Sequence, residues 1–211
     1  MTSGPKPERA ISKRVDIGGT HFNCPCHVCG LFDSDEAQYA VLLPFVQEGN
    51  AQGERSLQFV DKHEREARLR RITAYGIDVE NAQRKGELEI AVWEDVYLRD
   101  AKFNATSMLE FVQECLENGR RRGFSRTRLW ANMEWALSDL PGVDDLVRYE
   151  SRLNYFLPLS GDAVVCAYDV NRFSASVLEN VVAAHPHVFA DGWGGLNPYY
   201  VPPDQLLPTL T

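Results

Sequence analysis

Ser56-Leu57-Gln58-Phe59-Val60, followed by Asp61-Lys62-His63-Glu64-Arg65-Glu66, decides how the rest of the chain reads. The first five residues are a short, mostly apolar run with strand character. The segment behind them, 62–75, is charged, helical in pattern and closed by Gly76. A strand feeding directly into such a helix is half of a βαβ unit. In many α/β proteins the turn after the first strand is Gly-rich, and its amides cradle phosphate at a helix N-terminus. Here the turn carries Asp61, Glu64 and Glu66, which satisfy the helix dipole themselves and repel phosphate. Neither Gly-x-x-x-x-Gly-Lys-Ser/Thr nor the dinucleotide glycine fingerprint occurs elsewhere in the chain. The sequence therefore argues against nucleotide hydrolysis, and no nucleotide cofactor is expected.

Outward from this unit the same alternation continues. Toward the N-terminus, Asp33 and Glu36 spell a capping box for a helix that presents Tyr39, Leu42, Leu43 and Val46 and carries a kinking Pro44. Toward the C-terminus come a strand at 88–93 and a helix at 104–122, the latter with Met108, Leu109, Val112, Cys115 and Leu116 at core spacing. A strand at 127–135, a helix at 143–156, a strand at 163–168 and a helix at 174–184 follow. Strands separated by helices require right-handed crossovers, hence a mainly parallel sheet in a three-layer α/β sandwich. Residues 1–15 read as a mobile tail, 16–205 as one domain, and 206–211 as a short C-terminal tail.

The net charge of −8 over 211 residues disfavours polyanionic partners, since nucleic-acid binding depends on Lys and Arg displacing counterions. The one basic cluster, Arg120-Arg121-Arg122, sits where a helix ends and complements its dipole. No apolar run approaches the roughly 18 residues of a membrane helix. The charged, Pro-rich start lacks the apolar region of a secretory signal, so a cytoplasmic location is expected.

Three of the five cysteines crowd into His21-Phe22-Asn23-Cys24-Pro25-Cys26-His27-Val28-Cys29. Zinc takes Cys and His in tetrahedral fours, and iron–sulfur clusters take thiolates. The expected metal ligands are thus Cys24, Cys26 and Cys29, with His27 or His21 completing the set. A loop of free thiols and a redox disulfide are the alternatives. Cys115 and Cys166 lie in apolar patterns and read as small packed hydrophobes. His185 and His187, flanking Pro186, read as either ligands or the end of a helix.

Ligands of open α/β sheets gather beyond the carboxyl ends of the strands. The expected pocket there is lined by Trp93, Tyr97, Glu134 and Trp135, with Asn197 and Tyr199 from the C-terminal segment near its mouth. Simple core packing of these aromatics, with Glu134 paired to Arg128 or Arg152, is the alternative.

Several stretches together resemble a known family. His27-Val28-Cys29-Gly30-Leu31-Phe32-Asp33-Ser34-Asp35-Glu36 opens the resemblance. Leu43-Pro44-Phe45, Gly76-Ile77-Asp78-Val79 and Trp93-Glu94-Asp95-Val96-Tyr97-Leu98 continue it. Met133-Glu134-Trp135-Ala136-Leu137, Tyr149-Glu150-Ser151-Arg152-Leu153-Asn154, Cys166-Ala167-Tyr168-Asp169, His185-Pro186 and Asn197-Pro198-Tyr199-Tyr200 complete it. In this order they are similar to the MEDS family, the DcmR sensory domains of methanogens and methylotrophs. The resemblance implies a RecA/KaiC-like fold that has lost its phosphate loop. It also implies a sensory role toward small hydrocarbon-type ligands, coupled to transcription control or to kinase and anti-sigma modules. No helix-turn-helix or kinase module accompanies it here. The output is therefore expected to pass to a separate signalling or transcription-control protein, with homo-oligomerisation left open. Cys24, Cys26 and His21 lie upstream of the family's His27-x-Cys29 and depart from its pattern.

Overall fold

Among the described residues, seven strands build one sheet in the order β5-β4-β6-β7-β3-β8-β9. They are β3 (Cys26–Phe32), β4 (Arg55–Val60), β5 (Leu88–Val92), β6 (Thr127–Asn132), β7 (Ala163–Asp169), β8 (His187–Ala190) and β9 (Trp193–Leu196). All neighbours pair in parallel except β8 and β9. A separate hairpin of β1 (Arg14–Ile17) and β2 (Thr20–Asn23) precedes the sheet. The computed structural model describes residues 14–98 and 102–210.

Helices cover both faces. On one side lie α1 (Asp35–Gln52), α2 (Arg65–Ala74) and α3 (Val79–Lys85). On the other lie α4 (Trp93–Val96), α5 (Ala105–Arg121), α6 (Leu146–Leu153), α7 (Leu157–Ser160) and α8 (Ala175–Ala184). The short α9 (Pro203–Leu206) follows the sheet. Two apolar cores result, one per face. This is the expected three-layer α/β sandwich, and the central strands explain its stability. All six residues of β4 and of β6 are buried, as strands covered on both faces must be.

Burial on both faces also hid elements from the sequence. β3 has no polar–apolar alternation because neither of its faces meets water, so it reads as a loop although it sits between β7 and β8. It, and not β4, is the first strand of the sheet, and its crossover helix is α1. The cap of α1 is Ser34 rather than Asp33: the Ser34 hydroxyl accepts from the Ala37 amide at 3.3 Å. Beyond the last expected helix, β8 joins the sheet in parallel beside β3, and β9 pairs antiparallel to it at the edge. The tail boundaries shift as well. Arg14 and Val15 belong to β1, with Val15 buried against the α1 face, and Leu206 is buried in α9. The remainder of the expected N-terminal tail lies outside the described residues.

The amino ends of the central strands are tied by buried charge. Glu54 accepts from Arg126 Nη1 at 3.0 Å and Arg128 Nε at 2.5 Å, and Arg128 also reaches Glu48 and the Phe45 carbonyl. Gly49 makes room for this: a Cβ there would stand 2.7 Å from Arg128 Cδ. Arg128 is thus unavailable to Glu134.

Candidate functional site

Strand geometry disperses the expected metal ligands. Successive side chains of a strand point to opposite faces. In β3, Cys26 and Val28 pack on the α1 face, while His27 and Cys29 point toward α6 and α8. Cys24 Sγ stays 3.7 Å from Cys26 Sγ, but Cys29 is buried on the other side of the sheet. His21 is exposed on the β1–β2 hairpin, 3.4 Å from Asp16. Cys24, Cys26 and Cys29 therefore do not share a centre with His21 or His27. The hydrogen bond from Cys26 holds the Cys24 thiol below its ordinary value, and the same bond together with burial pushes Cys26 up. Burial raises Cys29.

His27 instead enters a different group. It meets Glu150 from α6, Cys166 from β7 and His185, the residue that ends α8, and all four are buried. His27 Nε2 stands 3.2 Å from Glu150 Oε2, and His185 Nε2 stands 3.4 Å from the same oxygen. Cys166 Sγ lies 3.4 Å from Glu150 Oε2 and 3.5 Å from His27 Nε2. The other carboxylate oxygen accepts from the Tyr168 hydroxyl at 2.6 Å. The two imidazoles lie with ring centroids 4.0 Å apart.

Two hydrogen bonds set the rings. His185 Nδ1 is 2.6 Å from the Val181 carbonyl, which can only accept, so Nδ1 carries the proton. Asn154 uses its amide nitrogen on the Ser151 and Ala184 carbonyls, at 3.1 and 2.7 Å. Its Oδ1 therefore faces His27 Nδ1, at 3.0 Å, as an acceptor. Burial, and then His185, lowers His27 to about 4. Glu150 is pushed up by burial, and positive charge on the two imidazoles beside it outweighs that and pulls its carboxyl well below the usual range wherever the rings carry it. Burial and Glu150 raise the Cys166 thiol and the Tyr168 hydroxyl. These four donor atoms all lie within 4.8 Å of one another and can hold a metal ion.

The expected ligand-binding residues are brought together only in part: Trp93, Tyr97 and Trp135 share one packed core, and Asn197 and Tyr199 lie apart from it. Trp93 follows β5 at one edge of the sheet, and Asn197 follows β9 at the other. Six strand spacings, about 29 Å, separate these edges. Tyr97 and Trp135 stack at 4.6 Å, Phe103 packs on Trp135 at 4.4 Å, and all three are buried in the core. Asn197 donates to the Val182 and His185 carbonyls at 2.7 and 2.8 Å, closing the end of α8, and Tyr199 is exposed. Glu134 is buried, with Oε2 lacking a hydrogen-bond partner. Arg152 reaches Thr106 instead of Glu134.

A cleft of about 500 Å³ does open beyond the carboxyl ends of β3 and β8. Leu31, Phe32, Ala37, Val41 and Phe189 line it, with Asp33 and Asp191 at its polar margin. The turn from β3 into α1 holds no glycine cradle. Asp35 and Glu36 occupy the first turn of α1 in its place. Next to the α1 face, Arg68 is fully buried. It stacks 3.6 Å over Trp130 and donates to Tyr39, Gln58 and Asn132 at 2.8, 3.0 and 3.2 Å.

Sequence reasoning missed Glu150, Cys166 and His185 as partners of His27. Each lies in a stretch that carries the family resemblance, but nothing in their spacing shows that α6, β7 and α8 converge on β3.

Comparison with known proteins agrees with this architecture. The family model "MEthanogen/methylotroph, DcmR Sensory domain" matches residues 26–186. The transcriptional repressor DcmR of Methylorubrum extorquens is 23% identical over 177 residues, which are 83% of this chain and 64% of that protein. The chain thus spans less than two thirds of that relative's length. A KaiC-like protein of Pyrococcus horikoshii has a similar fold, with a TM-score of 0.58, 15% identity, and coverage of 82% of this chain and 74% of that one. With strands 26–32 to 163–169 in this order and a family model spanning most of the chain, the protein belongs to the MEDS family of sensory domains.

Proposed function

We propose that this sensory domain binds a small, apolar-bodied ligand in the cleft beyond β3 and β8 and passes its signal to a separate transcription-control or signalling protein. The cleft carries this reading. It lies where parallel α/β sheets bind ligands, and its lining is mostly apolar. The acidic first turn of α1 favours neutral or cationic ligands over phosphates. The repressor name of the DcmR relative supports a link to transcription control. Exposed Trp193, Leu196 and Tyr199, on and after the edge strand β9, supply apolar surface for a partner or a second copy.

Thermal-shift measurements with short alcohols, amines and haloalkanes test the cleft. A compound that binds there raises the Tm of the native chain, and Ala37→Phe, which fills the cleft, abolishes that rise. Equal shifts in both proteins place the ligand elsewhere and remove this reading.

A further inference from the structure

We propose that His27, Glu150, Cys166 and His185 are the four ligands of a buried divalent transition metal, with zinc as the preferred ion. This site is independent of the cleft. His27 lies four residues before Leu31 on β3, about 13 Å along the strand.

The spacing of the donor atoms is the first argument. Zinc binds nitrogen and oxygen at about 2.0–2.2 Å and sulfur at about 2.3 Å, so the donors of a tetrahedron stand about 3.3–3.6 Å apart. The four distances on the page are 3.2, 3.4, 3.4 and 3.5 Å. The remaining pairs lie within 4.8 Å.

The second argument is the direction of the lone pairs. Both imidazoles spend their Nδ1 protons outside the cluster, on Asn154 Oδ1 and the Val181 carbonyl. In the neutral rings both Nε2 lone pairs then face the Glu150 carboxylate and Cys166 Sγ. His185 Nε2, wholly buried, has no hydrogen-bond partner. Acceptors turned toward one another repel unless a proton or a cation lies between them. An imidazole whose far nitrogen donates to a carbonyl or amide oxygen is the usual outer arrangement of a metal-bound histidine.

The donor set selects the ion and its role. One thiolate, one carboxylate and two imidazoles suit zinc and exclude magnesium and calcium, which take oxygen ligands. A dication also balances the two negative charges in a place that water does not reach. Binding replaces the Cys166 S–H proton, which leaves to solvent, and involves no change of oxidation state. Four protein ligands leave no open position, so the ion is structural. It pins β3 to α6, β7 and the end of α8, which lie more than a hundred residues later in the chain.

The test uses the full chain, purified without chelators. Elemental analysis is expected to give close to one zinc per chain. X-ray absorption of that protein is expected to show one sulfur at about 2.3 Å and the other ligands at about 2.0–2.2 Å. Replacing zinc with cobalt gives a thiolate-to-cobalt charge-transfer band, which Cys166→Ser abolishes and Cys26→Ser leaves unchanged. If Cys166→Ser does not fold, the sulfur count in the native protein still decides. A folded protein with less than about a tenth of an equivalent of any transition metal, and no gain in Tm on adding zinc, overturns the site. In that case the cluster is an ion pair with a protonated imidazole. Metal with two or three sulfurs, lost in Cys24→Ser or Cys26→Ser, overturns it in favour of the N-terminal thiols.

Discussion

Asn154 fixes the His27 ring from 3.0 Å away, and its side-chain amide joins α6 to the Ala184 carbonyl at the end of α8 in the same stroke. One residue thus orients a buried imidazole and ties two helices. Asn154→Ala leaves His27 Nδ1 and the Ala184 carbonyl buried without partners. Each orphaned buried group costs about 1–3 kcal/mol. Urea unfolding is expected to show a loss of about 2–4 kcal/mol, and a loss below 1 kcal/mol shows that neither bond matters.

Arg68 is held by three acceptors and by the face of Trp130, with no exposure. A planar guanidinium can fork to Tyr39, Gln58 and Asn132 while stacking, whereas an ammonium cannot. Arg68→Lys is therefore expected to recover less than half of the stability lost in Arg68→Ala, itself about 3–5 kcal/mol because buried acceptors are left unpaired at about 1–3 kcal/mol each. Full recovery by Lys, measured by chemical denaturation, contradicts the stacking argument.

Glu134 gives a pH dependence with a definite sign. Burial pushes its carboxyl from 4.5 up to about 7, against the opposing pull of its backbone hydrogen bond and Arg172. The folded state holds the proton more tightly than the unfolded chain. This contribution to stability is full below about pH 4.5 and is lost as pH rises through 7. A shift of this size corresponds to about 3 kcal/mol. Glu134→Gln cannot ionise, so the stability of the variant relative to the native protein should rise by that order between pH 4.5 and 8. A difference that stays constant over this range rules out the raised carboxyl.

The β3–α1 turn predicts indifference to nucleotides. Ser34 caps α1 with its own hydroxyl, and Asp35 and Glu36 fill the first turn with negative charge that repels a phosphate. Millimolar ATP with magnesium is expected to shift Tm by less than about 1 °C and to be recovered intact. A rise of several degrees, which mass action gives when a ligand is far above its Kd, shows binding at this or another site.

The sequence by itself determined the sandwich, because its evidence is local. Tyr39, Leu42, Leu43 and Val46 repeat at helical spacing, Asn104 and Gly123 bracket α5, and 56–60 and 163–168 read as short apolar strands. The missing phosphate loop was equally legible, although the turn that corresponds to it follows β3 and not β4. Tertiary structure decided the rest. β3 lacks alternation because both its faces are buried, and pleating then sends Cys26 to one face and His27 to the other. That single geometric fact dissolves the apparent Cys/His centre. His27 finds its partners only because the order β6-β7-β3-β8 sets β3 beside β7, so that Cys166 comes alongside it. The same packing carries α6 and the end of α8 over that pair. Strand order is fixed by how whole helices bury their apolar faces against the sheet. No local spacing encodes it, so Glu150, Cys166 and His185 become one site with His27 only in the folded chain.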